Sequence, residues 1–276
     1  MGVLRRERVE WKTPDQVRLM RQAGLVVADA LAAVRAEVRP GTTTAQLDAV
    51  AEDLIRGAGA LPSFLGYQGF PASLCVSVND EVVHGIPGER VLEDGDLVSV
   101  DCGAVLEGWH GDAAFSVVVD GGSGAVDPAD VALVEATEAA MWAGVAALAT
   151  AGRLGEVGAA VEDSLVGRFG VVEGYVGHGI GTAMHQPPEV LNHRSRERGA
   201  KVRPGLCVAV EPMVTRGEPD TDVLADDWTV VTTDGSRAAH WEHTVAVLEG
   251  GLWVLTAHDG GAAGLARHGL APAALG

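Results

Sequence analysis

Positive charge is what this sequence has least of. Its 276 residues set 20 Lys and Arg against 38 Asp and Glu, a formal net charge of −18. Such a chain repels phosphates rather than neutralising them, which speaks against sequence-independent DNA or RNA binding. Lys and Arg form no patch beyond Arg5, Arg6 and Arg8, and a short basic N-terminus of that kind reads as solvated. Cysteine is scarce too: Cys75, Cys102 and Cys207 are an odd number at unrelated spacings, with no CxxC pair. They make no disulfide framework, so a reducing, cytoplasmic compartment is expected. No apolar stretch is long enough to span a bilayer. No apolar run follows the charges of MGVLRRERVEWK, as a secretory signal requires. Apolar residues are nonetheless abundant, at 47%. That is enough for one large domain or two closely packed halves.

The first helix is signalled by Thr13, Pro14 and Gln16: an N-cap, a proline at the first helical position and a capping-box partner. Val17, Met20, Gly24, Val27, Leu31 and Val34 then recur at steps of three and four, which predicts one buried face. Pro40-Gly41 ends it. A second capping box, Thr43 to Gln46, opens a helix with Leu47, Val50 and Leu54 on one face. Short strands and turns follow from Ser63 to Asp120. Leu97 to Val105 and Ala113 to Val119 read as strands joined by a turn near Gly108 and Gly111. Then the order restarts. Asp127-Pro128 repeats the cap-plus-proline signal ahead of Val134, Met141, Val145 and Leu148. Leu154, Val157, Val161 and Leu165 mark another helix, and strands resume from about Gly174 to Leu255. Helix, helix, strands, twice over, reads as an internal duplication: two α+β halves, about 13–122 and 123–256, with room for a site in the cleft between them. Residues 1–12 read as an N-terminal extension. Residues 257–276, rich in Gly and Ala, read as a frayed, flexible tail without a chemical role.

Four acids interrupt otherwise apolar, strand-like text: Asp101 in LVSVDCGAV, Asp112 in GDAAFSVVV, Glu211 in LCVAVEPMV and Glu242 before HTVAVLE. A carboxylate in a buried strand is costly unless paired, protonated or bound to a cation. Singly, each is compatible with a capped turn or an ion pair. Together, with few basic residues in the same segments, they call for a cation. On a period of two, Asp101 shares a face with Ser99 and Leu97, and Asp112 with Ala114 and Ser116. A hairpin would aim both to one side. With His178 the set offers four carboxylates and one imidazole, a mostly hard donor set suited to Mn, Fe(II), Co or Zn, and to two ions rather than one. Such a pair can acidify a water and stabilise an oxyanion. His84 lies in the turn-rich NDEVVHGIPG and His185 in GHGIGTAMHQPP. Their spacing is not HExxH, so these histidines belong to strands or loops. His110, His193, His240, His243, His258 and His268 are left to surface or packing roles. Cys75 also reads as a small buried hydrophobe, Tyr67 and Trp228 as core aromatics, and Asn79 as a turn former.

At GYQGFPASLCVSVNDEVVHGIPG, VSVDCGAVLEGWHGDAAFSV, GHGIGTAMHQPPEV, LCVAVEPMV and WEHTVAV the chain resembles the type I methionine aminopeptidases of the pita-bread metallopeptidase fold. The resemblance runs from about Thr13 to Thr256. It implies an α+β pita-bread (creatinase/aminopeptidase) domain, two pseudo-symmetric halves of helices on a curved, mainly antiparallel sheet. It implies two divalent ions: Asp101, Asp112 and Glu242 on one, Asp112, His178, Glu211 and Glu242 on the other, with Asp112 and Glu242 bridging. It implies Glu211 as proton shuttle, His84 near the scissile nitrogen and His185 near the carbonyl oxygen. Phe64, Tyr67, Phe70, Cys75 and Trp228 match positions that line the family's methionine pocket, an apt setting for a thioether. Gln68 stands where many relatives have His, and Met184 where some have Phe. The implied substrate is the N-terminus of a nascent polypeptide with a small second residue. The implied enzyme is a cytoplasmic monomer with transient ribosome association and no direct nucleic-acid or membrane partner. Gly2 is small enough for Met1 itself to be removed. Proline-specific aminopeptidases and dipeptidases of the same fold usually carry a further N-terminal domain, for which a repeat starting by Thr13 leaves no room. Non-enzymatic members typically lose ligands that are present here. An amidohydrolase of unrelated fold does not fit the duplicated order.

Overall fold

The computed structural model of the chain describes residues 9–165 and 167–275. The readings of Arg5, Arg6 and Arg8, and of Met1 and Gly2, lie outside the described residues. The chain opens with α1 (Pro14–Glu37) and α2 (Thr44–Gly57). Five strands follow: β1 (Leu61–Pro62), β2 (Leu74–Val78), β3 (Glu81–Val83), β4 (Leu97–Leu106) and β5 (Trp109–Val118). Helices then return as α3 (Pro128–Ala147) and α4 (Gly155–Leu165). After them come β6 (Gly170–Val171), β7 (Gly177–Gly179), β8 (Gln186–Val190), β9 (Cys207–Val210) and β10 (Met213–Thr215). The order closes with β11 (Thr221–Val223), β12 (Val230–Thr232), β13 (Ala238–His240), β14 (Glu242–Leu248), β15 (Gly251–Val254) and α5 (Ala262–Ala266).

Both capping boxes form. Thr13 and Thr43 each accept from the backbone N–H three residues on, and Gln16 and Gln46 reach back to the cap N–H at 2.8 Å. The α1 stripe is the one its spacing predicts, with Leu31 only half-buried. The α2 stripe is shifted: Leu47, Ala51 and Ile55 are buried, while Val50 and Leu54 are half-buried. The helix turns its i, i+4, i+8 ridge to α1 and the sheet, and spacing alone does not choose between adjacent ridges.

The main sheet runs β1-β4-β5-β14-β9-β7-β8, with β2 added on β4 and β15 on β14, and all its pairings are antiparallel. The β4–β5 hairpin turns through Glu107 and Gly108, both at positive φ (51° and 79°), the two-residue turn that matches strand twist. Gly111 is not in the turn, as the sequence suggested, but inside β5. A Cβ there would lie 2.8 Å from the Gly24 nitrogen of α1, so strand and helix meet backbone to backbone.

Strand alternation decides where the site lies. Val98, Val100, Cys102 and Ala104 of β4 and Ala113 and Phe115 of β5 pack under α1 and α2 in one core cluster. Val208, Val210, Val245 and Val247 pack with Met141 and Val145 of α3 in another. Asp101, Asp112, Glu211 and Glu242 are out of phase with those residues. They point to the face of the sheet that the helices do not cover.

The segment beyond Asp259 is packed rather than frayed. Leu265 of α5 is fully buried, Gly264 lies against the Trp142 indole, and Ala273 N donates to Leu252 O at 2.9 Å. Asp259 accepts from Gly261 N and Ala263 N, ordering the turn. What looked like low periodicity is small-residue backbone fitted to one large ring. Among the described residues no helix is long and apolar enough to cross a membrane.

Candidate metal centre

Register brings the acids together. Asp101 of β4 sits opposite Ala114 of β5, and Ala114 sits opposite Glu242 of β14, so the two carboxylates flank one alanine in a row across three strands. Asp112 lies two residues along β5, opposite Gly103. The missing side chain at Gly103 leaves room for the Phe64 ring, which a Cβ would meet at 2.7 Å. Glu211 directly follows Val210, which pairs with His243 next to Glu242. His178, on β7 beside β9, places Nε2 3.3 Å from Glu211 Oε1.

Potential ligand atoms cluster in trios lying within 4.8 Å of one another: Asp101, Asp112 and Glu242; His178, Glu211 and Glu242; and Asp112, His178 and His185. All five residues singled out in the sequence thus meet in one cleft, and Glu242 belongs to two trios. The donors fit a cation. Asp112, Glu211 and Glu242 are only 3%, 8% and 1% exposed. Asp101 Oδ1, Asp112 Oδ1, Glu211 Oε1 and Glu242 Oε1 are buried without a hydrogen-bond partner among the described residues. Orphaned oxygens of this kind are rare and each demands a partner. Among the described residues no Lys or Arg forms an ion pair with any of the four.

Burial disfavours the charged form of all four acids while no cation is present, and repulsion between neighbouring carboxylates adds to it at Asp112, Glu211 and Glu242. Burial pushes the Asp101 carboxyl from 3.8 up to about 7. Asp112 is pushed well up by burial, then by Glu242 and Asp101. Glu211 and Glu242 rise likewise, by burial first and neighbouring acids second. Burial takes His178 the other way, to about 3, with His185 adding to it. Its Nδ1–H donates to Gly179 O at 3.0 Å, leaving the Nε2 lone pair facing Glu211 and the cleft.

A cavity of about 210 Å³ opens on the acids. Its apolar wall is Phe64, Tyr67, Phe70, Cys75, Met184 and Trp228, with Phe70 and Trp228 edge to face at 5.0 Å. Gln68 and Met184, the two departures from the relatives' pattern, both line it, Met184 as part of the buried wall. Burial and the adjacent acids keep the Cys75 thiol protonated. His185 Nδ1 lies 3.0 Å from the Tyr67 hydroxyl, and its ring stands edge-on to His178 at 4.3 Å. His84 has φ 60°, an uncommon conformation for a residue with a Cβ, and its ring edges onto Tyr175 and Trp228. Burial, then His185, lowers it to about 4.

One buried imidazole beside the acids was not singled out. His240 is 1% exposed and its Nε2 lies 3.7 Å from Glu211 Oε2. The signal was present in HWEH: counting back two from Glu242 lands on the same strand face.

Buried acids with no Lys or Arg partner among the described residues, an imidazole with a fixed tautomer and an adjoining apolar cavity define a metal-binding hydrolase cleft. The comparisons place it: the sequence model of metallopeptidase family M24 matches residues 18–249. The chain belongs to that family. It is 52% identical over 256 residues to a Mycobacterium tuberculosis protein named methionine aminopeptidase 1, covering 90% of this chain and 95% of the relative. It is 43% identical over 246 residues to a Bacillus subtilis protein of the same name, covering 89% and 98%. A solved structure of methionine aminopeptidase from Rickettsia prowazekii superposes with a TM-score of 0.86 at 34% identity, covering 91% of this chain and all of that one. The fold is the pita-bread fold of these proteins.

Proposed function

We propose that the protein removes the N-terminal methionine from newly made polypeptides by metal-dependent hydrolysis. The observation that carries this is the adjacency of the aromatic-walled cavity to the carboxylates: a thioether side chain seated there brings its own carbonyl to the acids. Asp101, Asp112 and Glu242 would hold one divalent ion, and Asp112, His178, Glu211 and Glu242 a second. Hard and borderline ions, Co, Mn, Fe or Zn, suit the set. Bound ions would supply a water acidic enough to lose its proton near neutral pH and would polarise the scissile carbonyl. Glu211 takes up that proton and returns it to the departing amine. A Tyr67 hydroxyl that donates to His185 Nδ1 leaves Nε2–H free to donate to the carbonyl oxygen. His84 faces the scissile nitrogen, and Tyr175 at its edge narrows the exit, favouring a small second residue. Phe64, Phe70, Cys75 and Trp228 exclude water from the methionine side chain. The protein works as a monomer in the cytoplasm.

The test is methionine release from short peptides varied at the second residue, after chelation and with Mn, Co, Fe or Zn restored singly. Release from Met-Gly but not Met-Leu peptides, and none from Xaa-Pro dipeptides, is expected. No methionine release with any of the four metals would overturn the proposal.

A further inference from the structure

A second cavity, of about 410 Å³, opens beside the aromatic-walled one. The two share His84, His178, His185 and Glu211 in their walls. The second leads past Tyr175 and Gln186 to the exposed Glu189. A methionine side chain seated in the first cavity lays its peptide bond at the shared residues. The rest of the polypeptide then has the second cavity as its way out.

Among the described residues no Lys or Arg lines this second cavity. Burial disfavours the charged forms of His84, His178 and His185, and Glu211 belongs to the carboxylate cluster. One charge is left to face the outgoing chain, that of Glu189. Strand register puts it there. Gly177 and His178 of β7 pair with Val190 and Glu189 of β8. Val190 is fully buried with Met141 and Val145 of α3, so alternation turns Glu189 to the open face with His178. Side chains directly opposed across an antiparallel pair start about 5 Å apart. β8 is the last strand of the main sheet, so no further strand covers Glu189. Its carboxylate has no hydrogen bond or ion pair among the described residues.

We propose that Glu189 selects polypeptides with Lys or Arg at the third residue. The inference rests on the functional reading above and adds to it a preference set outside the methionine cavity. An extended chain advances about 3.3 Å per residue, which carries the third residue about 7 Å beyond the methionine. A carboxylate that starts beside His178 is within reach of a long basic side chain there. An acid at the third residue meets the same carboxylate as a like charge. Such a pair is exposed, so it is worth only about 2- to 5-fold in affinity, and salt screens it. The acidic excess of the whole chain acts on every cationic peptide alike. Only a group at the edge of the cavity distinguishes the third position from one further along.

The test measures methionine release by metal-restored, full-length protein from hexapeptide amides Met-Gly-Xaa-Ala-Ala-Ala, with Lys, Ala or Glu as Xaa, and from Met-Gly-Ala-Ala-Ala-Lys. At about 20 mM salt the kcat/KM ratio of the Lys to the Glu peptide should be about 5- to 10-fold, carried mainly by KM, and should shrink toward about 2-fold near 0.5 M. Lys at the sixth position should gain little over Ala. E189Q should bring the ratio to about 2-fold or less, and E189K should invert it. D53N removes an exposed acid from α2, on the covered side of the sheet, and should keep the wild-type ratio. Both rates come from one preparation, so a loss of folded enzyme cancels from the ratio. A wild-type ratio near one, an E189Q ratio equal to that of wild type, or a D53N ratio that falls as far as that of E189Q would overturn the proposal. Wild-type protein that releases methionine from none of these peptides would instead overturn the functional reading.

Discussion

Replacing Asp101 with Asn should make the metal-free protein more stable while destroying its metal site. Asp101 ionises at 3.8 as an ordinary carboxyl and at about 7 in the fold, chiefly because of burial. Folding is then penalised fully above pH 7, and the penalty fades as pH falls toward 4. A displacement of that size is worth about 4 kcal/mol at pH 8 and under half of that at pH 5. Asn carries no charge to desolvate, but its amide finds incomplete partners beside Asp112, returning about 1–2 kcal/mol. The expected balance for D101N is a gain of about 2 kcal/mol at pH 8 and close to none at pH 5. Urea unfolding of chelated wild type and D101N at both pH values measures it. Adding Mn should then reverse the order at pH 8, since wild type gains about 3 kcal/mol at a hundredfold excess over Kd and the variant lacks a ligand. A D101N protein less stable than wild type at pH 8 without metal would refute the reasoning, as would a gain equal at both pH values.

Glu211→Gln keeps the shape of the side chain but neither binds a cation strongly nor accepts a proton. Turnover should fall by about 10³-fold or more, with near-wild-type circular dichroism. Metal affinity should weaken below pH 7 by about tenfold per pH unit for each proton displaced from the acids, read by calorimetry between pH 6 and 8. Tyr67→Phe removes the hydroxyl 3.0 Å from His185 Nδ1. It should lower kcat/KM about 3- to 10-fold, the worth of one hydrogen bond, and more in kcat than in KM. Glu10 accepts from Thr182 N, Thr182 Oγ1 and Gln186 Nε2, tethering the loop that carries His185. Glu10→Ala should speed amide exchange across residues 181–186 and raise KM about threefold.

The elements were legible where local chemistry decides them. Thr13 and Thr43 announce their helices because a cap hydrogen bond is made within three residues. The acids were legible because a carboxylate in an apolar strand has few tolerable explanations, and alternation then says which way it faces. What depends on distant neighbours was not legible. The α2 stripe depends on the helix it meets. Gly111 lies in β5 because α1 crosses there, which no local rule encodes. The packed segment after Asp259 depends on the Trp142 ring, more than a hundred residues earlier.

The placement of the acids also explains how two helix-and-strand halves share one centre. In the main sheet the strands of the first half meet those of the second at β5 and β14, and the register there is only two residue pairs, Glu242–Ala114 and His243–Ala113. A seam that short contributes little ladder hydrogen bonding. Glu242 stands in it and belongs to both a trio with Asp101 and Asp112 and a trio with His178 and Glu211. Without a cation the seam is a place where buried carboxyls from both halves crowd together and resist ionisation. With cations it becomes a cross-link whose ligands come from both sides. The same residues therefore weaken the metal-free protein and join the loaded one, so binding and the closure of the two halves draw on a single electrostatic source.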